Sequence, residues 1–257
     1  MSSYLDQKFG LRGKVALITG SSKGLGQAMA RALAAAGADV IINGRAAATL
    51  APVVADLVSR GAKATAITAD LSKRAEVQGL VDEAIAWQGH LDILVNNAGI
   101  IRRTPAADHR DADWDAVLEV NLTGVFTACR AAGRHMLARG SGKIINIASL
   151  LTFFGGITVP GYAASKGAVG QLTKALSNEW AAKGIQVNAI APGYMRTDNT
   201  AELQADAVRS KEILSRIPAA RWGEPGDLEG TVVFLASASS NFLTGQVIAV
   251  DGGWCGR

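Results

Sequence analysis

The sequence predicts an α/β protein, a mostly parallel sheet with helices on both faces, and three observations lead there. Strand-like and helix-like segments alternate along the chain, and repeated βα units of this length build parallel sheets. Residues 144–148 are short and mostly apolar, which suits a strand buried on both sides. At 257 residues and 49% hydrophobic side chains, the chain has the material for one large core without a break in composition, so a single domain over 1–257 is expected.

Taken in order, residues 14–19 read as the first strand, followed by a glycine-rich turn and a helix over 24–36. A strand at 40–43, a helix at 46–60, a strand at 64–69, a helix at 73–88 and a strand at 91–95 continue the repeat. Residues 112–139 form a long helical region that Gly124 and Gly133 make less regular. A strand at 143–148 precedes a helix over 161–183, whose apolar face carries Ala163, Ala164, Ala168, Val169, Leu172, Leu176 and Trp180. The strand at 185–190 is stopped by Pro192-Gly193. One or two short helices at 199–214, a helix at 225–236 and a strand at 247–250 complete the chain. The crossovers between parallel strands are expected to be right-handed.

Composition excludes several function classes. The net charge of +4 is modest and its basic residues are dispersed, whereas nucleic-acid binding calls for a basic face or a stacking surface. Cys129 and Cys255 have no metal-ligand spacing and no disulfide framework, so both are read as packing residues and no metal is expected. Residues 1–9 lack the apolar run of a leader, and no window approaches the length of a membrane span. A cytoplasmic protein without a membrane partner is expected.

The chemistry is placed at Ser149, Tyr162 and Lys166. Tyr162 and Lys166 are four residues apart in a predicted helix, hence on one side and a turn from each other, with the Ser149 hydroxyl arriving from a strand end. An ordinary phenol titrates near 10 and is a poor base at neutral pH. A nearby cation, and an oxidised nicotinamide if bound, favour the phenolate; a shift of about three units corresponds to about 4 kcal/mol.

The cofactor signal is the run Thr19-Gly20-Ser21-Ser22-Lys23-Gly24-Leu25-Gly26 between a strand and a helix. Glycines at such a place permit a tight turn and close approach to a pyrophosphate. The spacing departs from GxGxxG and lacks the ending of a P-loop, which argues against a nucleoside triphosphatase. At the end of the second strand an acid would hold an adenosine ribose, while arginine accommodates a 2′-phosphate. Here Gly44 is followed by Arg45, which with Lys23 points toward NADP(H), NAD(H) remaining open. Asp70, after the third strand, is positioned either to accept from an adenine amine or to cap the chain near Ser72. Asn96-Asn97-Ala98-Gly99 ends the fourth strand, where ligands of parallel sheets collect.

Thr19-Gly20-x3-Gly24-x-Gly26, Asn96-Asn97-Ala98-Gly99, Asn121, Ser149, Tyr162-x3-Lys166 and Pro192-Gly193 together resemble the short-chain dehydrogenase/reductase family over essentially the full chain. The resemblance implies a single-domain, three-layer Rossmann fold with a seven-stranded sheet, usually in a homotetramer, and reversible alcohol/carbonyl hydride transfer. It implies that Tyr162 is the general acid/base, that Lys166 lowers its pKa and bonds the nicotinamide ribose, that Ser149 orients the reacting oxygen and that Asn121 holds a water. It assigns Gly20, Ser22, Lys23, Gly24, Leu25 and Gly26 to the cofactor phosphates and Asp70 and Asn97 to the adenosine side. Leu71, Ala98 and Gly99 join that cofactor set, and Ile190, Pro192, Gly193 and Thr197 lie beside the nicotinamide.

Within the family, residues 99–103, 192–200 and 216–223 look like the sugar-acid dehydrogenases, acting on gluconate, on deoxygluconates or on uronate-derived keto acids. A guanidinium binds such a carboxylate through two parallel hydrogen bonds. Arg102, Arg103, Arg196, Arg216 and Arg221 are the supply, with Arg103 the first candidate alongside Ser149 and Tyr162 for touching a carboxylated sugar. Residues 194–222 are expected to form a helical insertion that closes over the substrate and excludes water. Phe153 and Phe154 either line that pocket or anchor their loop; Trp87, Trp114 and Trp180 are read as core or interface anchors. The last strand and Asp251-Gly252-Gly253-Trp254 resemble the family's subunit-contact region. A nicotinamide-binding protein without relevant catalysis is the alternative of another class.

Overall fold

The strand-forming segments are apolar over nearly every residue, which demands cover on both faces, and the helices between them provide it. The computed structural model describes residues 3–257, so Met1 and Ser2 of the amino-terminal stretch read for a leader lie outside the described residues. The strands are β1 (Val15–Ile18), β2 (Asp39–Gly44), β3 (Ala64–Thr68), β4 (Ile93–Asn96), β5 (Gly142–Ile147), β6 (Ile185–Pro192) and β7 (Val247–Val250). They form one sheet in the order β3-β2-β1-β4-β5-β6-β7, every neighbouring pair parallel. This is the three-layer Rossmann arrangement with seven strands.

Helices α1 (Tyr4–Phe9), α2 (Gly24–Ala35), α3 (Ala47–Ser59), α4 (Arg74–Gln88), α5 (Asp111–Leu118), α6 (Val125–Arg139), α7 (Pro160–Trp180), α8 (Ala201–Ala205), α9 (Ala207–Arg216) and α10 (Glu229–Ala236) complete the fold. Side chains alternate across a strand, and the core divides accordingly. Ala16, Ile18, Val40, Ile42, Val95 and Ile145 pack with Met29 and Leu33 of α2, Leu50 of α3 and Val232 of α10. Leu17, Ile41, Leu94, Ile144 and Val187 pack on the other face with Leu80 of α4, Met136 of α6 and Leu176 of α7. A smaller cluster joins Leu150, Ile213, Ile217, Trp222 and Trp254 beneath α9.

Three departures from the sequence reading have physical causes. The long helical region is α5 and α6 joined by a π-helical stretch, Glu119–Gly124; a Cβ on Gly124 would stand 2.6 Å from the Leu71 carbonyl oxygen, so the widened turn fits against β3's exit only with glycine. Residues 225–236 open as a 3-10 turn, Pro225–Leu228, before α10 begins, with proline at the first turn where its missing N–H is tolerated. Cys129 is buried as expected, but Cys255 is exposed on the short C-terminal turn rather than packed. Trp180 is buried, Trp114 is partly exposed, and Lys63 lies over the Trp87 ring. Phe153 and Phe154 are largely exposed. Among the described residues no helix is long and apolar enough to cross a membrane.

Candidate active site

Successive strands step outward in opposite directions from β1, with β2 on one side and β4 on the other, and a crevice opens at their carboxyl ends. The loop after β1 enters that crevice. Gly20 and Gly24 both adopt positive φ, at 61° and 56°, a region glycine enters without strain. A Cβ on Gly20 would lie 2.8 Å from Ala98 Cα, and one on Gly26 would lie 2.4 Å from the Gly20 carbonyl oxygen and 2.5 Å from Asn97 Nδ2. Asn97 binds this loop directly: its amide donates to the carbonyls of Thr19 (3.0 Å) and Gly20 (2.8 Å). Thr19 Oγ1 accepts in return from the Asn97 and Ala98 backbones.

The resulting cleft has a volume of about 490 Å³. Gly20, Ser22, Lys23, Gly24, Leu25, Gly26, Arg45, Asp70, Leu71, Asn97, Ala98, Gly99, Pro192, Gly193 and Thr197 all line it, together with Ser149, Tyr162 and Lys166. It runs from the glycine loop and the ends of β2 and β3, at Arg45 and Asp70, to the phenol of Tyr162. Asp70 Oδ1 accepts from the Ser72 backbone N–H and hydroxyl, at 3.0 and 2.8 Å, which holds its carboxyl below the usual range. Of the two alternatives for Asp70, this turn-stabilising one is formed here. The backbone approach secured by the glycines, the exposed cation of Arg45 and the length of the groove fit a nicotinamide dinucleotide.

At the inner end, Ser149 follows β5 and caps a 3-10 turn, accepting from Leu151 N–H at 3.2 Å. Proline at the first position starts α7, so Tyr162 lies in the first helical turn and Lys166 one turn on. Lys166 Nζ stands 5.6 Å from the Tyr162 ring centroid and donates to the Ile147 carbonyl. Burial brings the Lys166 ammonium down to about 8. Burial also raises the Tyr162 phenol, opposed by a hydrogen bond with Ser149 and the positive charge of Arg103. Lys166, beside the ring and bonded to the Ile147 carbonyl, and Arg103 both place positive charge near this phenol.

Asn121 sits wholly buried in the π stretch, a distortion that occurs often at functional sites. Its Oδ1 accepts from Ile100 N–H at 2.8 Å, and its Nδ2 donates to the Ile100 carbonyl (2.9 Å) and Ser165 Oγ (3.2 Å). Ser165 donates onward to the Tyr162 carbonyl at 2.8 Å. Asn121 thus stands behind the cleft wall, clamping the Ile100 loop to α7.

The five arginines separate clearly. Arg102 pairs with Asp113, Arg196 with Glu224 and Arg221 with Asp227, while Arg216 stacks on Trp254 at 4.2 Å. Arg103 has no carboxylate partner among the described residues and donates to the Asn199 carbonyl at 3.0 Å. It stands outside the cleft wall but acts on Tyr162 through its charge. Phe153 and Phe154 do not line the cleft.

Sequence reading missed Asn43, Met195, Asp198 and Asn199 on the cleft wall, where Arg196 of the candidate arginines also lies. Asn43 is fully buried at the end of β2, accepting from Gly20 N–H and donating to the Ile67 carbonyl at 3.0 Å. An asparagine closing an otherwise apolar strand was the available signal, since a buried amide needs partners. Met195, Asp198 and Asn199 carry no such signal; a chain reversal after β6 brings them over the loop.

A family model described as short chain dehydrogenase matches residues 14–208. The chain is 52% identical over 252 residues to 2-dehydro-3-deoxy-D-gluconate 5-dehydrogenase of Pseudoalteromonas atlantica, covering 98% of this chain and 99% of that protein. Identity is also 52% with the protein of the same name from Bacillus subtilis, over 254 residues and 99% of each chain. The crystal structure of a gluconate 5-dehydrogenase from Burkholderia cenocepacia in complex with NADP and tartrate aligns with a TM-score of 0.96 at 44% identity, covering 99% of this chain and 100% of that one.

Proposed function

The chain belongs to the short chain dehydrogenase family, and from that premise we propose that it is an NADP(H)-favouring oxidoreductase interconverting a hydroxyl and a keto group on a sugar acid. The substrate we favour is of the 2-dehydro-3-deoxy-D-gluconate type, with gluconate and keto-uronates as neighbouring choices. One observation carries the reading: a half-buried phenol, Tyr162, lies beside Ser149 and Lys166 at the inner end of a cleft whose outer end is the glycine loop. The names of the relatives and the NADP and tartrate of the Burkholderia structure support the same substrate and cofactor class.

A nicotinamide dinucleotide, when bound, supplies the two-electron acceptor or donor. Tyr162 exchanges the proton at the reacting oxygen, taking it during oxidation and returning it during reduction. Ser149 orients that oxygen by hydrogen bonding, and its bond to Tyr162 favours the phenolate. Lys166 holds positive charge behind the phenol and reaches toward a nicotinamide ribose. Asn121 fixes the Ile100 loop through three hydrogen bonds, the backing a water in the proton relay requires. Arg103, the one candidate guanidinium without a carboxylate or ring partner among the described residues, takes the substrate carboxylate. Arg45 and Lys23 face the adenosine 2′-phosphate, and Pro192, Gly193 and Thr197 lie beside the nicotinamide. Residues 194–222 act as a lid within a single domain.

The β7 edge and the fully exposed Phe242 next to it support a homotetramer, and two unpaired cysteines support a reducing, cytoplasmic setting. The test is a matrix of NAD(H) and NADP(H) against gluconate, 2-deoxygluconate, 2-keto-3-deoxygluconate and keto-uronates, followed by the absorbance of the reduced cofactor. Turnover is expected with at least one carboxylated sugar, and Tyr162→Phe is expected to lower it by several orders of magnitude while the protein still folds and binds NADPH. A parent protein that binds NADPH but turns over none of these acids across pH would falsify the proposal.

A further inference from the structure

The chain after β6 crosses the cleft and is held from both of its sides. Thr197 and Thr200 cap each other and fold Asp198–Thr200 into a single 3-10 turn. On the substrate side Arg103 donates to the Asn199 carbonyl at 3.0 Å. On the cofactor side Lys23 of the glycine loop forms an ion pair with Asp198. The Thr197 methyl lies 3.8 Å from where a Cβ on Gly24 would stand, so the turn rests directly on that loop.

The position of the Asp198 carboxylate is informative. Lys23 is the N-cap of α2, a 12-residue helix with no acid in its first turn and no side-chain cap. The amino end of such a helix carries partial positive charge and favours an anion. Ser22 Cβ lies 3.7 Å from the Cβ position of Gly44, which brings the loop beside the β2 end that carries Arg45. A carboxylate from the lid therefore sits on the cation closest in sequence to the phosphate-binding turn, at the corner where an adenosine ribose meets Arg45.

We propose that Asp198 is a specificity-determining residue, an internal anion that occupies Lys23 until the 2′-phosphate of the cofactor takes its place. The proposal deepens the dinucleotide reading of the cleft and rests on it. Partner exchange at Lys23 releases the cofactor side of the Asp198–Thr200 turn while Arg103 keeps the substrate side, so cofactor entry loosens one half of the latch. Both side chains are about three-quarters exposed, at 73% and 75%, and exposed pairs are weak. A pair of that strength exchanges readily, where a buried one would bar the cofactor. Because only the fraction of molecules with Lys23 free is ready for the phosphate, the pair lowers apparent affinity for the phosphorylated cofactor and leaves the other untaxed.

The test is titration of NADPH and NADH fluorescence into the full-length parent, Asp198→Asn and Asp198→Ala. Both variants are expected to bind NADPH about two- to fivefold more tightly at low salt. The gain should shrink as added salt screens the pair, and NADH affinity should move much less. In the cofactor-free protein, amide hydrogen exchange across 198–205 is expected to quicken in Asp198→Asn. Unchanged or weaker NADPH binding in both variants, or an equal gain for NADH, overturns the proposal. A parent that binds neither nucleotide would instead strike down the dinucleotide reading, and this inference with it.

Discussion

Lys166 is the costliest group in the cleft: an ammonium 4% exposed whose one hydrogen bond goes to a carbonyl, not to a carboxylate. Its pKa falls from 10.5 to about 8 through burial. Folded Lys166 thus loses its proton before unfolded Lys166 does, and between those values the unfolded chain binds more protons. Its contribution makes stability rise with pH across that window, fully present above 10.5 and lost as pH falls through about 8. Lys166→Met removes the buried charge, and we expect it to stabilise the protein at pH 7 by about 2 kcal/mol while abolishing turnover. Urea denaturation at pH 7 and pH 10 checks the stability, since the variant should lack the rise, and the absorbance of the reduced cofactor checks the turnover. At this scale the Tyr162, Lys166 and Ser149 positions were legible from spacing. That the charge of Arg103 also bears on the phenol was not, because Arg103 is far from Tyr162 in sequence.

Among the elements, the α5–π–α6 run shows why a helical pattern is not the same as a helix. Periodicity places Gly124 and Gly133 as irregularities, yet each answers to a neighbour: Gly124 to the Leu71 carbonyl and Gly133 to the Trp180 ring, 2.6 Å from where its Cβ would stand. Alanine is the better helix former by about 1 kcal/mol, so propensity alone predicts that Gly133→Ala stabilises. Overpacking a core typically costs about 1–3 kcal/mol, and the rigid indole has a buried seat to lose. We therefore expect Gly133→Ala to destabilise the protein by about 1 kcal/mol net, and Gly133→Ala with Trp180→Leu to be less destabilised than the sum of the single changes. A four-point denaturation cycle measures that coupling. The chain reversal after β6, by contrast, was legible in its two short helices and, by resemblance, in Thr197; its perch over the glycine loop depends on Thr197, Asp198 and Asn199 meeting residues remote in sequence.

For the whole molecule, the divergence of the strand order at β1 and β4 creates a crevice, and the cofactor is proposed to bind there. A ligand that binds only the folded state stabilises it by about 2.7 kcal/mol at a hundredfold excess over its Kd. NADP is accordingly expected to raise the Tm more than NAD at equal concentration, and Arg45→Ala to remove most of the difference; differential scanning fluorimetry of both proteins decides. A larger rise with NAD would reverse the cofactor assignment without touching the fold.

The chain's own order of residues determined the alternation of strands and helices, the glycine turn, and the Ser149, Tyr162 and Lys166 set, because each is written in local periodicity or short spacing. Only the tertiary structure decided that Asn97 ties the glycine loop to β4, that Asn121 clamps Ile100 from a π turn, that the charge of Arg103 bears on the phenol, and that Asp198 reaches Lys23. Those contacts join residues from 21 to 175 positions apart, and no periodic pattern encodes a distance closed by packing a sheet between two layers of helices.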